Sequence, residues 1–186
     1  MEFEIIETER LLLRKSGIEQ LNFVFTNYAD EELSTFLGAY TDTALATDKE
    51  RFKQGFTSYN RSVVIFHLLN KTDNKVIGAC AFHNWYTIHQ RTEIGYDMKL
   101  DEYKQKGYMT EAVRAIIHHG FTNMNLNRIE ALVSPKNIPS LKLITNMGFS
   151  QEGVLKEHHN VDGVLEDSLL FGLLKKMSKK YRLHKS

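Results

Sequence analysis

Apolar positions along the chain change period from segment to segment, and those changes outline a fold. Phe3 to Arg14 opens in mixed alternation and ends in the apolar run Leu11-Leu12-Leu13, which predicts a strand with a bend at Thr8-Glu9. Leu21, Phe23, Val24 and Phe25 then lie in a helical segment, and Glu31 to Phe36 form another short helix. Gly38 to Ala46 is small and polar, hence a loop. Thr47-Asp48-Lys49-Glu50 has the residues of a capping box, so a third helix is expected from about Asp48 to Tyr59, with Phe52, Phe56 and Tyr59 as its apolar stripe. Ser62 to Leu69 and Lys75 to His83 read as a strand pair across the polar connection Asn70 to Asn74. Asn84 to His89 is a polar-aromatic turn before a strand from Arg91 to Leu100.

The second half is clearer. From Tyr108 to Asn123, the residues Ala112, Val113, Ile116, Ile117, Gly120 and Phe121, with Met124 just beyond, fall on one side of a helix. Arg128 to Ser134 is rich in strand formers. Pro135 and Pro139 bracket a loop that starts a helix from about Ile138 to Met147, with Gly148 just past its end. Phe149 to Lys156 and Val161 to Leu174 read as the last two strands, joined across His158-His159-Asn160 or a nearby turn. The order is strand, helices, three strands, helix, strand, helix, two strands. This is a mixed α/β domain over 1–174 with a basic tail over 175–186. No linker, repeat or low-complexity stretch divides it, and Leu126-Asn127-Arg128 is too short a connection for a domain boundary.

Composition narrows the function classes. The chain has 186 residues, 42% hydrophobic and 25% charged, with a net charge of +1, so no global field draws it to DNA. The exception is local: six Lys or Arg and no acid lie between Lys175 and Ser186, which suits a solvated tail or a weak contact with RNA or a ribosome. No segment has the roughly 18 apolar residues of a membrane span. The acidic start lacks a basic region followed by an apolar stretch, so a cytoplasmic location is expected. Cys80 is the only cysteine and sits in the apolar run Val76 to Phe82, which predicts a buried core thiol. His158-His159 has no cluster of ligand spacing around it, so no metal is expected.

The stretch with most chemistry runs from Thr92 to Ala112: strand, polar loop, first turn of a helix. The amides of a helix's first turn lack intrahelical partners and, with the helix dipole, form an anion site. Gly107 lets a phosphate approach the backbone, and Lys104 and Lys106 add positive charge. Neither G-x-x-x-x-G-K-[ST] nor G-x-G-x-x-G occurs, which argues against a P-loop NTPase and a dinucleotide fold.

Glu93-Ile94-Gly95-Tyr96, followed by Gln105-Lys106-Gly107-Tyr108-Met109-Thr110-Glu111-Ala112, resembles the acetyl-CoA motif of the GNAT N-acetyltransferase superfamily. The branch it looks most like is the RimJ/RimL-type ribosomal-protein N-acetyltransferases. Further blocks carry the resemblance along nearly the whole chain: Thr8 to Arg14 at the start, then Asn137-Ile138-Pro139-Ser140, Asn146-Met147-Gly148-Phe149, Glu152-Gly153, Asp162-Gly163, Asp167 and Leu173-Leu174. The loop departs from the family pattern (Arg/Gln)-x-x-Gly-x-(Gly/Ala), whose three defined positions are here Lys104, Gly107 and Met109. Gln105 also stands where many relatives have Gly. Lys104 can still neutralise a pyrophosphate, as a point charge.

The resemblance implies a mostly antiparallel, twisted GNAT sheet with a splayed central strand pair, flanked by helices. It implies acetyl-CoA between the strand ending at Leu100 and the strand Arg128 to Ser134. Met98, Lys99 and Leu100 would offer backbone to the pantetheine, with a bulge near Tyr96 to Met98. Lys104, Gln105, Lys106, Gly107, Tyr108, Met109 and Thr110 would hold the pyrophosphate, and Asn137 would bond the cofactor from the opposite lip. The implied reaction moves acetyl from a thioester to an amine, which needs a base for the ammonium and an acid for the thiolate. Glu93 is the candidate base; its alternative role is an ion pair with Lys or Arg on a neighbouring strand. Many superfamily members place a Tyr acid seven residues after the Asn, but that position is Ile144 here. Ser140 is therefore the candidate acid, with a plain helix-capping or first-turn serine as its alternative. His83-Asn84-Trp85 borders the expected acceptor site. No nucleophile with an adjacent base is apparent, so direct transfer in a ternary complex is expected. The acceptor implied is a protein N-terminal amine. A small amine (polyamine, amino acid or antibiotic) is the alternative, and a non-catalytic acyl-CoA sensor is a third reading. The sequence leaves oligomeric state, a homodimer included, open.

Overall fold

The computed structural model describes residues 1–55 and 62–177. Among them are eight strands in one sheet: β1 (Ile5–Glu7), β2 (Leu11–Ser16), β3 (Ser62–Asn70), β4 (Val76–Tyr86), β5 (Arg91–Met98), β6 (Arg128–Val133), β7 (Ser150–Val161) and β8 (Val164–Leu174). Their spatial order is β1-β2-β3-β4-β5-β6-β8-β7. Every neighbouring pair is antiparallel except β5 and β6. That exception follows from the connection: β5 returns to the sheet through α4 (Tyr108–Thr122), and a helical crossover is what a parallel pair requires. The other helices are α1 (Ile18–Asn27), α2 (Asp30–Leu37), α3 (Asp42–Gln54) and α5 (Ile138–Asn146).

Both sheet faces are covered. Leu11, Leu13, Phe66, Phe82 and Ile94 pack with Val113, Ile116 and Ile117 of α4 and Ile144 of α5 in the main core. Gly120 lets α4 sit close: a Cβ there would stand 2.9 Å from Leu126 and 3.0 Å from the Phe82 ring. Alternation turns Arg14 to the other face, where its guanidinium lies 3.6 Å from the Phe36 ring centroid, beside the smaller cluster of Val24, Leu33, Phe36 and Leu37.

Several expectations are corrected. Thr8-Glu9 is no bend within one strand but part of a turn between two, closed by Thr8 N–H donating to Leu11 O at 2.9 Å. The loop after Gly38 is shorter than expected, because α3 begins at Asp42 with Thr41 as its cap; Thr41 Oγ1 accepts from Ala44 N at 3.2 Å. Thr47 is inside that helix, its hydroxyl donating to Thr43 O at 2.8 Å, so the apparent capping box caps nothing. Phe52 stacks on Phe25 at 4.2 Å, while Phe56 and Tyr59 lie outside the described residues. Most of the basic tail, 178–186, lies outside them too. The bulge expected near Tyr96 to Met98 is elsewhere: β4 and β5 stay in register from Gly78↔Met98 to His83↔Glu93 and slip between His83 and Tyr86. Asn84, at φ 49, supplies the kink. The last hairpin turns at Asp162 and Gly163, both at positive φ as a two-residue turn prefers. This is the nearby turn of the two connections expected; His158-His159-Asn160 itself falls at and after an irregularity inside β7.

Candidate active site

The site grows from a fork in the sheet. β5 and β6 pair only through Arg91↔Arg128, Thr92↔Ile129 and Glu93↔Glu130. Beyond Glu93 the two strands part, and each keeps only its outer neighbour, β4 or β8. The closed end is pinned. Two arginines face each other there, a repulsive pair unless something neutralises it. Glu130 does so, accepting from Arg91 at 3.0 Å and from Arg128 Nε at 2.7 Å. Arg128 also reaches Glu152 of β7 through both terminal nitrogens, and those bonds hold its guanidinium protonated, its pKa raised.

Along the open limb of β5 the backbone alternates. Lys99 N–H donates to Ile77 O at 2.9 Å, so the amides in step with Lys99 are turned toward β4. The N–H and C=O groups of Ile94, Tyr96 and Met98 are thereby turned into the fork. The Met98 backbone thus faces the fork; the Lys99 amide is committed to the sheet, and the Lys99 ammonium meets Asp48 at 3.4 Å. Leu100 packs against the core and starts a 3-10 turn, Asp101–Tyr103.

The loop after this turn arrives at α4 through two left-handed residues, Gln105 at φ 58 and Gly107 at φ 81. Gln105 takes without glycine's freedom a conformation that glycine adopts at little cost. Gly107 is the N-cap of α4, and the first amide donating back within the helix is that of Glu111, to Gly107 O at 3.0 Å. The amides of Tyr108, Met109 and Thr110 are left without an intrahelical acceptor, the arrangement by which a helix N-terminus attracts anions. Lys104 is drawn to Asp101 at 2.6 Å on the surface, and Lys106 is exposed.

A brace that motif spacing does not reveal holds this loop. Glu111 accepts from Thr8 Oγ1 at 2.7 Å, Arg10 N at 2.8 Å and Arg10 Nε at 2.7 Å. Arg10 Nη1 donates to Lys106 O at 2.9 Å, and the guanidinium lies 4.2 Å from the Tyr108 ring centroid. Burial alone would raise the Glu111 pKa, but the hydrogen bonds from Thr8 and Arg10 hold it below the usual carboxylate range.

Glu93 stands at the vertex of the fork, its side chain 18% exposed. Its Oε2 accepts from Asn84 Nδ2 at 3.0 Å, and its Oε1 is 3.7 Å from His83 Nε2. The ionisable side chain beside it among the described residues is this histidine, rather than the Lys or Arg of the alternative reading. The bulge at Asn84 swings that carboxamide onto Glu93, and the His83 ring leans over Gly95, where a Cβ would stand 3.0 Å from Nε2. These groups share the face opposite Ile94 and Tyr96.

On the far lip, Asn137 caps α5 by accepting from Ser140 N at 3.1 Å, which commits its Oδ1, while its NH₂ has no partner among the described residues. Ser140 is therefore not the cap but a serine of the first turn, as one half of the alternative reading has it. Its Oγ lies 2.6 Å from the hydroxyl of Tyr96, on the parted limb of β5. Ile144 is fully buried core. Cys80 is also core, 1% exposed, and burial pushes its thiol pKa up. His158 Nδ1 is 3.1 Å from Ser168 Oγ. Among the described residues, no group of three or more His, Cys, Asp or Glu is placed to hold a metal, and no helix is long and apolar enough to cross a membrane.

A parallel strand pair that opens toward a glycine-capped helix is the arrangement of an acyl-CoA N-acyltransferase, and comparison with known proteins agrees. The family model described as Acetyltransferase (GNAT) domain matches residues 10–150. The uncharacterized N-acetyltransferase p20 of Bacillus licheniformis is 36% identical over 175 residues, 93% of this chain and 97% of that protein. The [ribosomal protein uS5]-alanine N-acetyltransferase of Escherichia coli is 30% identical over 126 residues, 67% of this chain and 61% of that one. Among solved structures, mutant forms of the spermidine/spermine N-acetyltransferase SpeG from Vibrio cholerae superpose with a TM-score of 0.68 at 19% identity, covering 93% of this chain and 98% of that one. The chain belongs to the GNAT acetyltransferases, and it is an acetyl-CoA-dependent N-acetyltransferase that resembles the RimJ/RimL-type enzymes.

Proposed function

We propose that this enzyme acetylates the N-terminal α-amine of a protein, by direct transfer in a ternary complex, with Glu93 as base and Ser140 as acid. The observation that carries the chemistry is the fork: Glu93 stands where β5 and β6 separate, and Ser140 reaches Tyr96 on the parted limb. The free amides of Tyr108, Met109 and Thr110, with the Asn137 NH₂ opposite, suit the pyrophosphate and pantetheine of acetyl-CoA, which supplies the activated acetyl group when bound. Lys104, Gln105 and Lys106 complete that end, and Gly107 keeps the backbone approachable.

Glu93 takes a proton from the incoming ammonium, directly or through one water, because only the free amine attacks a thioester. Asn84 holds the carboxylate in place without competing for that proton, since an amide only donates to it. A backbone amide of the parted β5 limb offers a hydrogen bond to the carbonyl oxygen as charge develops there. Ser140 gives its proton to the departing sulfur. The relative that acts on uS5 supports a protein amine as acceptor.

The test is an acceptor screen with acetyl-CoA: peptides with free N-termini, the same peptides N-terminally blocked, and spermidine. Acetylation confined to free peptide termini supports the proposal. Preference for spermidine moves the enzyme to the small-amine class, and cofactor binding without turnover on any amine makes it a sensor. Cytoplasmic location and a homodimer belong to the same proposal and are read by fractionation and by light scattering.

A further inference from the structure

The mechanism above gives Tyr96 no part, yet its hydroxyl touches the proposed acid. Tyr96 pairs with Cys80 of β4, lies beyond the last β5–β6 pair, and packs its ring against the main core. Its hydroxyl reaches α5 at Ser140 Oγ, 2.6 Å away. Ser140 does not need that oxygen for the helix, because Asn137 already caps α5 through the Ser140 amide. The contact is thus a cross-cleft link between the strand limb and the helix that form the two lips of the fork.

We propose that Tyr96 is a positioning residue for acetyl transfer: its hydroxyl donates to Ser140 Oγ, so that the Ser140 hydroxyl turns its own hydrogen to the leaving sulfur. A hydroxyl has one hydrogen and two acceptor sites. With the phenol filling one acceptor site, the serine hydrogen is free to point away from Tyr96. As the amine nitrogen bonds the acetyl carbon, the carbon–sulfur bond breaks and its electron pair goes to sulfur. Sulfur takes the Ser140 hydrogen. Because a serine alkoxide is far more basic than a phenolate, the Tyr96 hydrogen moves onto the Ser140 oxygen as Ser140 gives up its own, and the charge rests on the Tyr96 oxygen. The proton shed by the attacking amine returns to Tyr96 through solvent, so charge and protons balance over a turnover. Burial holds the Tyr96 phenol above its ordinary pKa, although Ser140 acts in the opposite sense, so the donor keeps its proton across neutral pH.

This rests on Ser140 being the acid, and the experiment separates the two. kcat and KM for acetyl-CoA are measured for Tyr96→Phe, Ser140→Ala and the double variant. The expected result is a kcat about tenfold lower for Tyr96→Phe, with KM within about twofold, and a double variant no slower than Ser140→Ala alone. Slow Ser140→Ala with full-rate Tyr96→Phe overturns the inference and leaves Ser140 standing. Full-rate Ser140→Ala removes both. Losses that multiply in the double variant show that Tyr96 acts apart from Ser140 and overturn the inference. An altered KM with unchanged kcat does the same, marking the pair as a latch. Should Tyr96→Phe lower the melting temperature severely, difluorotyrosine at position 96 keeps the ring and makes the phenol more acidic. The basic limb of the kcat–pH profile should then move to lower pH, and an unmoved limb overturns the proposal.

Discussion

Arg10 Nε lies 2.7 Å from Glu111 Oε2, and the Arg10 amide lies 2.8 Å from the other carboxylate oxygen. A turn at the start of the chain thereby grips the first turn of α4, where the cofactor's phosphates are expected. Arg10→Ala should raise KM for acetyl-CoA several-fold with a smaller effect on kcat, since the loop loses a support and no reacting group. The pair is partly exposed, so the cost in stability should be modest, about 1–2 kcal/mol. Titration calorimetry with CoA and thermal melts check both. Because the folded Glu111 pKa is depressed, its contribution is complete above the ordinary carboxylate value of 4.5 and is lost as pH falls through the folded value. Glu111→Gln should flatten that part of the acid melt.

Gly107 combines a left-handed φ of 81 with a position at the head of α4. Gly107→Ala should cost about 1–2 kcal/mol from backbone strain. Gly107→Glu adds bulk and negative charge where the proposed site seats an anion, and it should abolish CoA binding by calorimetry. Unchanged affinity would remove the loop from the site.

Glu93→Gln keeps the hydrogen-bonding shape beside Asn84 and removes the proposed base. Turnover should fall by about 10²–10⁴, most strongly below the acceptor amine's pKa, where a proton must be taken. CoA affinity should stay within about twofold. A full-rate variant at low pH eliminates Glu93 as base.

His67 is 3% exposed in β3, its ring 5.2 Å edge-on to Phe36, with Nδ1 unbonded among the described residues. Burial, with Arg14 and Lys99 nearby, lowers its pKa from 6.5 to about 3. The unfolded chain binds the proton more readily between those values, so stability is full above 6.5 and declines as pH falls toward 3. His67→Leu should reduce the pH dependence of the melting temperature in that window. A wild-type melt independent of pH there would contradict the burial argument.

The sequence was most informative where one period ran long. Val113, Ile116 and Ile117 announced α4, and Gly107 announced its head, because helix periodicity and phosphate geometry are local properties. Glu93 and Ser140 were visible through resemblance, but their partners were not. Asn84 reaches Glu93 only because an unpredictable bulge turns it there, and Tyr96 meets Ser140 from 44 positions away in the chain. Arg10 and Glu111 are 101 residues apart, and no spacing rule connects them. The start of α3 was misplaced because Thr47 and Glu50 fit a capping box, while the working cap, Thr41, has only an ordinary Asp-Thr-Ala behind it. Acceptor choice depends on surfaces outside the motif stretch, where neither periodicity nor spacing speaks.

The central claim is that acetyl passes directly from acetyl-CoA to an amine at the fork of β5 and β6. Thiol release from acetyl-CoA, followed with and without a peptide bearing a free N-terminus, tests it most directly. The account predicts release that requires the peptide and matches acetylated peptide one for one. A burst of thiol without any amine, or cofactor bound with no release at all, would contradict it.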